Sequence, residues 1–250
     1  HPTGTGRYLR NLVRVWSAAG ERLTAYLDAP PGDWAADLGP HVRWRPLARA
    51  ASRGLVWQER RIPPAAVADG IDVFFAPAYH APLALARPRV TAVHDLSFFS
   101  YPQDFGFVEG LRRRLLVAAS IRISAGILAC SDFTRREIVR RFPAAAARVH
   151  DVPLGADDAL PPAPDRDAAR HSLRITGPLI LWVGSVFNRR CLPELLAAGA
   201  RLAKHWPGLV IDVVGDNRTQ PPRDLTALAR QAAGVEVRLS GFVTETALAE

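Results

Sequence analysis

The sequence has little cysteine, no methionine and no long apolar run, and each of these absences excludes something. Its two cysteines, Cys130 and Cys191, have no C-x-x-C partner, so there is no disulfide framework and a reducing, cytoplasmic setting is expected. No apolar run approaches the ~18 residues that a membrane-spanning helix requires. The start shows no basic segment followed by an apolar one, so no secretory signal is recognisable.

Signatures of several enzyme classes are also missing. No group of His, Cys, Asp and Glu has the spacing of metal ligands, so no metal site is predicted. A G-x-S-x-G elbow does not occur, which argues against a serine hydrolase. Because methionine is absent even from position 1 and the chain stops at Glu250 within a helical pattern, we expect a fragment cut at both ends.

The chain is strongly basic, with a formal net charge of +8. The basic residues are mostly arginines spread along the chain, and the dense runs at 112–114 and 135–141 lie on helical patterns with apolar neighbours. Such runs are typical of a solvated helix face, or of a helix that makes peripheral contact with an anionic membrane. In this protein the contact would be with the inner face of the membrane. Nucleic acid is not an expected partner.

Short apolar runs alternate with helical periods, a pattern typical of parallel sheets covered by helices. The apolar spacing predicts helices over 7–19, 106–125, 132–142, 192–205 and 222–233. The predicted strands are 23–27, 42–47, 71–75, 90–93, 127–130, 149–152, 179–184, 209–215 and 235–241. The predicted fold class is therefore α/β, with doubly wound parallel sheets.

A proline- and aspartate-rich stretch interrupts this alternation. Residues 151–167 contain four prolines and five aspartates, a composition typical of a linker. We predict a first domain over 1–160, a linker over 161–177 and an incomplete second domain over 178–250. Ligands of doubly wound sheets bind outside the carboxyl ends of the strands, so we expect one cleft between the two domains.

The segment TAVHDLSFFSYP, residues 91–102, contains the first candidate site. His94 and Asp95 directly follow a predicted core strand, at the end where the catalytic groups of such sheets lie. Position alone leaves two interpretations open, a helix cap with a satisfied core histidine or an active site. The apolar residues after Asp95 are expected to form a loop over the acceptor side rather than a buried helix.

Two glycines and two hydroxyls mark the next candidates. Gly4 and Gly6 precede a predicted helix, where they would admit a phosphate or a sugar, or simply form a turn. Leu9 stands where a dinucleotide fingerprint needs its third glycine, which argues against nicotinamide binding. Ser131 follows a strand, and Thr134 with the glutamate three residues later fits a capping box, so a cap is favoured over a nucleophile.

Glycines also end the predicted strands of the second domain, at Gly184, Gly215 and Gly241. Arg189 and Arg190 lie between the first of these turns and a helix start. Arginine in that position can bind phosphate oxygens with help from the helix dipole, or can remain solvated. Spacing alone does not separate the two interpretations.

Taken together, five segments in this order resemble the family 4 retaining glycosyltransferases of the GT-B fold, in particular a bacterial mannosyltransferase-like branch. They are GTGRYLRNLVR, VTAVHDLSFFSYPQDF, ILACSDFTRREIVRRFP with RVHDVPLGAD, LILWVGSVFNRRCLPELLAAGARL and VRLSGFVTETALAE. The strand–His–Asp segment is the most specific of them. The resemblance implies two Rossmann-like domains facing across a cleft, the first for the acceptor and the second for the donor.

The resemblance also implies a function and a set of site residues. The enzyme would transfer a sugar with retention from a nucleotide-sugar donor to a glycan or lipid-linked acceptor, without a cofactor or an obligatory metal. A mannose carried by GDP is the tendency of the branch. The implied residues are His94 and Asp95 for catalysis, Gly4, Gly6, Gly184, Ser185, Arg189 and Arg190 for the donor phosphates, Gly215, Gly241, Phe242 and Val243 for the nucleotide base, and Ser131 and Thr134 for support.

The sequence departs from the family pattern in three places. Arg190 stands where the family usually has lysine, within FNRRC instead of the commoner xPRKN. A strand before the glycine loop and a pair of glutamates are expected outside residues 1–250, so we expect little catalysis from this stretch alone. Two alternatives stay open: a non-catalytic homologue that binds nucleotide-sugar, and a nucleotide-sugar epimerase, against which the lack of acidic residues near Gly184 argues.

Overall fold

The computed structural model describes residues 4–48, 54–155, 165–244 and 247–248. Contacts divide the chain into two units, the first His1–Ser100 with Val108–Gly155, the second Tyr101–Phe107 with Ala156–Glu250. The described strands pair in parallel in both units, which confirms the predicted α/β class. None of the helices in the described ranges combines the length and apolar character needed to cross a membrane.

Up to residue 155, the described strands form two separate parallel sheets. The helices are α1 (Gly4–Ala18), α2 (Leu55–Ala68), α3 (Ser97–Ser100), α4 (Phe107–Ile123) and α5 (Asp132–Arg141). The strands are β1 (Leu23–Leu27), β2 (Val42–Pro46), β3 (Phe74–Ala76), β4 (Arg89–Val93), β5 (Gly126–Ala129) and β6 (Val149–Asp151). One sheet pairs β1 with β2, and the other has the order β3-β4-β5-β6.

The second unit is built on a parallel sheet of order β7-β8-β9. Its strands are β7 (Leu179–Val183), β8 (Val210–Val214) and β9 (Glu236–Gly241), and its helices are α6 (Arg166–Ser172), α7 (Leu192–Leu202) and α8 (Leu225–Arg230). Every residue of β8 is buried, as expected of a central parallel strand. Leu192 and Leu196 of α7 pack with Ile211 and Val213 of β8 to form the core of this unit.

Helix α2 is the longest of the described helices that the sequence pattern did not predict. No element was assigned to residues 48–70, yet α2 spans Leu55–Ala68 with Pro63 and Pro64 inside it. Proline interrupts the helical hydrogen bonds, which is why the pattern did not suggest a helix. Tertiary packing compensates, because Trp57, Ile62 and Ala66 form a buried cluster with a residue outside the helix, Leu85.

Strand and linker limits also differ from the predictions. The strand predicted over 71–75 forms at Phe74–Ala76, because the Ile71 N–H instead donates to the carbonyl of Ala66 and completes the end of α2. Helix α6 lies inside the stretch predicted as a linker, and the Asp165 carboxylate caps it by accepting from the N–H groups of Asp167 and Ala168. Part of that stretch, 161–164, lies outside the described residues, and the domain limits stay a prediction.

Candidate functional site

The first candidate group lies at the N-terminus of α1. This helix begins at Gly4, so Gly4 and Gly6 lie in its first turn and not ahead of it, as the sequence pattern had indicated. A helix N-terminus presents backbone N–H groups and the positive end of the dipole to an anion. The ring of Tyr8 meets the imidazole of His94 edge to face, with 5.1 Å between the ring centroids. The start of α1 and His94 are therefore neighbours.

His94 is held from both its ring and its backbone. Its Nε2 lies 2.8 Å from the carbonyl oxygen of Pro77 and must carry a hydrogen to donate to it. Its own carbonyl accepts from the Cys130 thiol at 2.9 Å and from the Thr134 hydroxyl at 3.2 Å. Among the described residues, no protein group binds Nδ1. In the neutral ring, Nδ1 can accept a hydrogen bond from a substrate hydroxyl.

Asp95 organises the turn that follows the strand. Its Oδ1 accepts from the N–H of Ser97 at 2.8 Å and from the Ser97 hydroxyl at 2.6 Å. Its Oδ2 accepts from the Tyr79 hydroxyl at 2.9 Å. Burial, and then the charge of Asp95, raise the pKa of Tyr79 far above its ordinary value, so this hydroxyl stays protonated as a donor. Through its contacts with Ser97 and Tyr79, Asp95 therefore supports the local geometry.

The apolar residues after Asp95 form a helix, so the predicted loop over the acceptor side is wrong. They form the short helix α3, in which Phe98 is 2% exposed, and Leu96 before it is completely buried. The physical reason is the carboxylate of Asp95, which accepts from Ser97 at the start of the turn. Phe98 then packs edge to face against Tyr79, with 5.7 Å between the ring centroids.

The predicted cap at Ser131 is confirmed, whereas the predicted capping box is wrong. Ser131 Oγ accepts from the Thr134 N–H at 3.2 Å and caps α5. Thr134 thus lies in the first turn, buried, with its hydroxyl directed to His94. Glu137 does not reach back to the cap; it accepts from the Ser100 hydroxyl at 2.9 Å.

The sequence analysis missed the loop after β3, which positions both candidate catalytic residues. Pro77 accepts from His94, and Tyr79 donates to Asp95. Tyr79 adopts a φ of +60°, a left-handed conformation that is uncommon for a residue with a side chain. The neighbouring His80 fixes the loop, since its Nε2 lies 2.7 Å from a carboxylate oxygen of Glu59. The available signal was a Tyr–His pair shortly after a strand, which resembles the His–Asp pair that identified His94.

In the second unit, the three candidate glycines meet at the carboxyl ends of the strands. Gly184, Gly215 and Gly241 have φ values of +125°, +140° and +63°. The Gly215 N–H donates to the Gly241 carbonyl at 2.6 Å, and the Gly184 N–H donates to the Val214 carbonyl at 2.8 Å. A Cβ at Gly215 would overlap the Gly184 carbonyl oxygen and lie 3.0 Å from the Ser185 nitrogen. Glycine is required there by this close backbone approach.

The two candidate arginines have different surroundings. Arg190 is exposed, and its guanidinium lies over Gly184, since a Cβ there would overlap Arg190 Nη1. The Arg189 guanidinium carbon lies 4.4 Å from the ring centroid of Phe187 and 5.5 Å from that of Phe105. The Arg190 guanidinium carbon also lies 5.6 Å from the Phe187 centroid, so this ring contacts both arginines, whereas Phe105 contacts Arg189. Of the pair, Arg190 is the one beside the glycine turns.

The residues predicted to contact the base follow this cluster. Phe242 and Val243 come directly after Gly241 at the end of β9, and Phe242 is 51% exposed. The structure thus brings the candidates into two groups, one in each unit. The groups are α1 with His94, Asp95 and the start of α5, and the glycine turns with Arg190 and the stretch after β9. In the described ranges, no three His, Cys, Asp or Glu side chains converge as metal ligands.

Comparison with known proteins identifies a family for the larger part of the chain. The model of Glycosyltransferase Family 4 matches residues 2–160. A search of curated proteins finds no match. The match to the family includes the strand–His–Asp segment and the whole of α5.

Solved glycosyltransferase structures share the fold at low sequence identity. WaaG, a glycosyltransferase involved in lipopolysaccharide biosynthesis, is 18% identical with a TM-score of 0.64, and the alignment covers 98% of this chain and 68% of WaaG. Sucrose-phosphate synthase from Thermosynechococcus elongatus is 17% identical with a TM-score of 0.68, over 99% and 67% of the two chains. Anabaena HepE in complex with UDP-glucose is 18% identical with a TM-score of 0.62, over 98% and 67%. The family match covers more than half of the sequence, and the chain therefore belongs to Glycosyltransferase Family 4, with the GT-B fold.

Proposed function

We propose that the protein transfers a sugar from a nucleotide-sugar donor to a glycan or lipid-linked acceptor, with retention at the anomeric carbon. In this reaction the bond between the sugar and the diphosphate breaks, and a bond from the acceptor oxygen to the same carbon forms. The acceptor proton leaves with the nucleoside diphosphate. Mannose carried by GDP is the donor that the resemblance to the mannosyltransferase-like branch favours, and the complex of HepE with UDP-glucose makes UDP-glucose the first alternative to test.

The observation that carries the proposal is Arg190 beside the glycine turns of the second unit. Backbone turns with positive φ at strand ends let a diphosphate approach the main chain closely. Arg190 adds a planar guanidinium that forms two hydrogen bonds to phosphate oxygens and offsets the charge of the leaving group. A cation in this place does the work that a metal does in other transferases, so we propose that no metal is required.

On the acceptor side, the proposal relies on His94. Its Nε2 is occupied by the Pro77 carbonyl, so Nδ1 is the nitrogen that we propose binds a hydroxyl of the transferred sugar. Asp95 acts indirectly, by holding the turn and the Tyr79 hydroxyl. The N-terminus of α1, with Gly4 and Gly6, supplies further positive potential next to His94.

Calorimetric titration with nucleoside diphosphates tests the donor site in the full-length protein. Replacing Arg190 by alanine should weaken binding by about 1.5–3 kcal/mol, the range for a hydrogen bond to a charged group. The matched control is Arg201→Ala, which removes an equal charge from the last turn of α7 in the same unit. Equal affinity of Arg190→Ala and the wild-type protein would remove Arg190 from the site and with it the main support for the proposal.

Transfer assays distinguish the proposal from its alternatives. A screen of nucleotide-sugars, scored by the released nucleoside diphosphate, should identify a donor if the protein is a transferase. A non-catalytic homologue would bind the nucleotide without releasing diphosphate from any donor. An epimerase would convert the sugar in the absence of an acceptor, which chromatography of the sugar detects.

We also propose peripheral contact with an anionic membrane, at the inner face and on the cytoplasmic side, through α4. On this helix Val108 is 77% exposed and Leu115 is 63% exposed. The arginines at 112–114 lie between them in sequence. Exposed apolar side chains flanked by arginines are typical of a helix lying in the interface of anionic lipid. Sedimentation with phosphatidylglycerol vesicles should therefore exceed that with phosphatidylcholine vesicles, and Leu115→Glu should abolish the difference.

A further inference from the structure

A cavity in the first unit lies next to the candidate catalytic residues and has no assigned ligand. It is bounded by α2, α4 and the loop after β3, and its volume is about 500 Å3. Small-ligand sites typically have volumes of roughly 300–1,000 Å3. We propose that it binds a neutral sugar ring of the acceptor, an inference that rests on the proposed function. Its wall includes Gln58 on α2, Tyr79 in the loop after β3, and Glu109, Arg112, Arg113 and Leu116 on α4.

Tyr79 connects this cavity to the candidate catalytic residues. Its ring forms part of the cavity wall. The same ring lies 5.6 Å from the imidazole of His94, centroid to centroid, and its hydroxyl donates to Asp95 at 2.9 Å. A ligand in the cavity is therefore one side chain away from both residues. An acceptor must place a hydroxyl near the transferred sugar, so the location suits an acceptor.

The charges of the wall argue for a ligand without a net charge. Glu109 accepts from Arg112 Nε at 2.9 Å and from Arg113 Nε at 2.7 Å. Burial alone would raise the pKa of Glu109, but the hydrogen bonds from Arg113 and Arg112 outweigh it and lower the pKa. Asp28 brings a second carboxylate to the wall. Acidic and basic side chains thus balance among the described wall residues, whereas a phosphate would need surplus positive charge.

The remaining wall groups match a hydroxylated ring. The Gln58 side-chain amide has no protein partner among the described residues, so it can donate to one hydroxyl and accept from another. Tyr79, which is only partly buried, supplies aromatic surface for the apolar face of a sugar, whereas Trp57 and Phe98 line the wall but are almost fully buried. A lipid tail would leave the amide and the charged groups without partners, which carries a large energetic cost.

His80 belongs to the wall but is not available to the ligand as a base. Its Nε2 lies 2.7 Å from Glu59 Oε1, and its Nδ1 lies 3.2 Å from the hydroxyl of Ser120. Both ring nitrogens are therefore used inside the protein, and Ser120 is completely buried. The cavity accordingly serves to bind and orient, whereas proton chemistry stays with the groups around His94.

Saturation-transfer NMR on the full-length protein tests the ligand class. The probes are methyl α-D-glucopyranoside, methyl α-D-mannopyranoside and glucose 6-phosphate. Two variants fill the cavity from opposite sides, Gln58→Trp on α2 and Leu116→Trp on α4. The matched control is Val67→Trp, which adds the same ring to an exposed position of α2, and circular dichroism verifies the fold of each variant. With two filling variants, a folding failure in one leaves the other to decide.

We expect saturation transfer from the protein to at least one neutral glycoside in the wild-type protein and in Val67→Trp. Both filling variants should lose this saturation transfer. The proposal is overturned if no neutral glycoside binds, if binding survives the filling variants, or if only glucose 6-phosphate binds. The donor screen separates this result from the proposed function. Glycoside binding in the cavity without any transfer refutes the transferase alone, whereas undiminished transfer in the filling variants refutes the cavity alone.

Discussion

The backbone approach at the end of β8 predicts an unusually large effect of a single methyl group. Gly215 has a φ of +140°, outside even the left-handed helical region that an L-residue tolerates. Holding such a conformation costs an alanine about 1–3 kcal/mol. The new Cβ would also overlap the carbonyl oxygen of Gly184, which belongs to the backbone and cannot rotate away. Displacing packed neighbours costs a further 1–3 kcal/mol or so. We therefore expect Gly215→Ala to destabilise the second unit by about 2–6 kcal/mol, as the sum of these two contributions.

Gly241 provides the matched control within the same cluster. Its φ of +63° is also positive, but a Cβ there would meet nothing within 4 Å. Gly241→Ala should therefore cost only the left-handed strain, about 1–2 kcal/mol. The comparison isolates the steric overlap, because both variants add one methyl group at the carboxyl end of a strand in the same sheet.

Native-state hydrogen exchange followed by mass spectrometry measures the difference locally. The amides of β7, β8 and β9 report the opening free energy of this sheet without interference from the first unit. Gly215→Ala should lower that free energy more than Gly241→Ala does. Equal losses, or a larger loss in Gly241→Ala, would refute the argument that Gly215 is required by a close approach to Gly184.

Three further predictions concern the first unit. His94→Ala should lower kcat by about 10²–10³-fold, as the loss of one group that stabilises the transition state does. The change in Tm should be too small to account for this loss, and proportional losses of kcat and Tm would contradict a catalytic role. Tyr79→Phe should lower the free energy of unfolding in urea by about 1.5–3 kcal/mol, because the carboxylate of Asp95 loses a hydrogen-bond donor. An unchanged urea midpoint would argue against the hydrogen bond from Tyr79 to Asp95. Burial, and then Asp69, raise the pKa of Tyr26 from 10.0 to about 12, so its contribution to stability is complete below pH 10 and is lost as pH rises to about 12. Alkaline unfolding of Tyr26→Phe should lack that loss.

Several features of the fold could be predicted because they depend on residues close in sequence. The strand at 23–27 was predicted to the residue, since short apolar runs between turn signals define a strand locally. The Ser131 cap was predicted because one hydroxyl and the next turn suffice to form it. The helix predicted over 192–205 forms at Leu192–Leu202, with Pro193 in its first turn, where proline is tolerated.

Other features depend on contacts between distant residues, and the sequence pattern indicated the wrong structure or none. Helix α2 continues through two prolines because its buried face packs on Leu85. The residues after Asp95 form a helix because that carboxylate accepts from Ser97 and because Phe98 packs against Tyr79. Neither partner can be identified from local spacing.

The sequence by itself determined the parallel α/β class, the family resemblance, and the positions of His94 and of the glycines at strand ends, because periodicity and strand-end position are local properties. Only the tertiary structure decided how these residues are held. It directed His94 Nε2 to Pro77, gave Asp95 the Tyr79 hydroxyl as a donor and brought Arg190 rather than Arg189 beside Gly184. The physical reason is that these hydrogen bonds and ring contacts join residues that only folding brings together. No periodic pattern in the sequence indicates which residues will be partners.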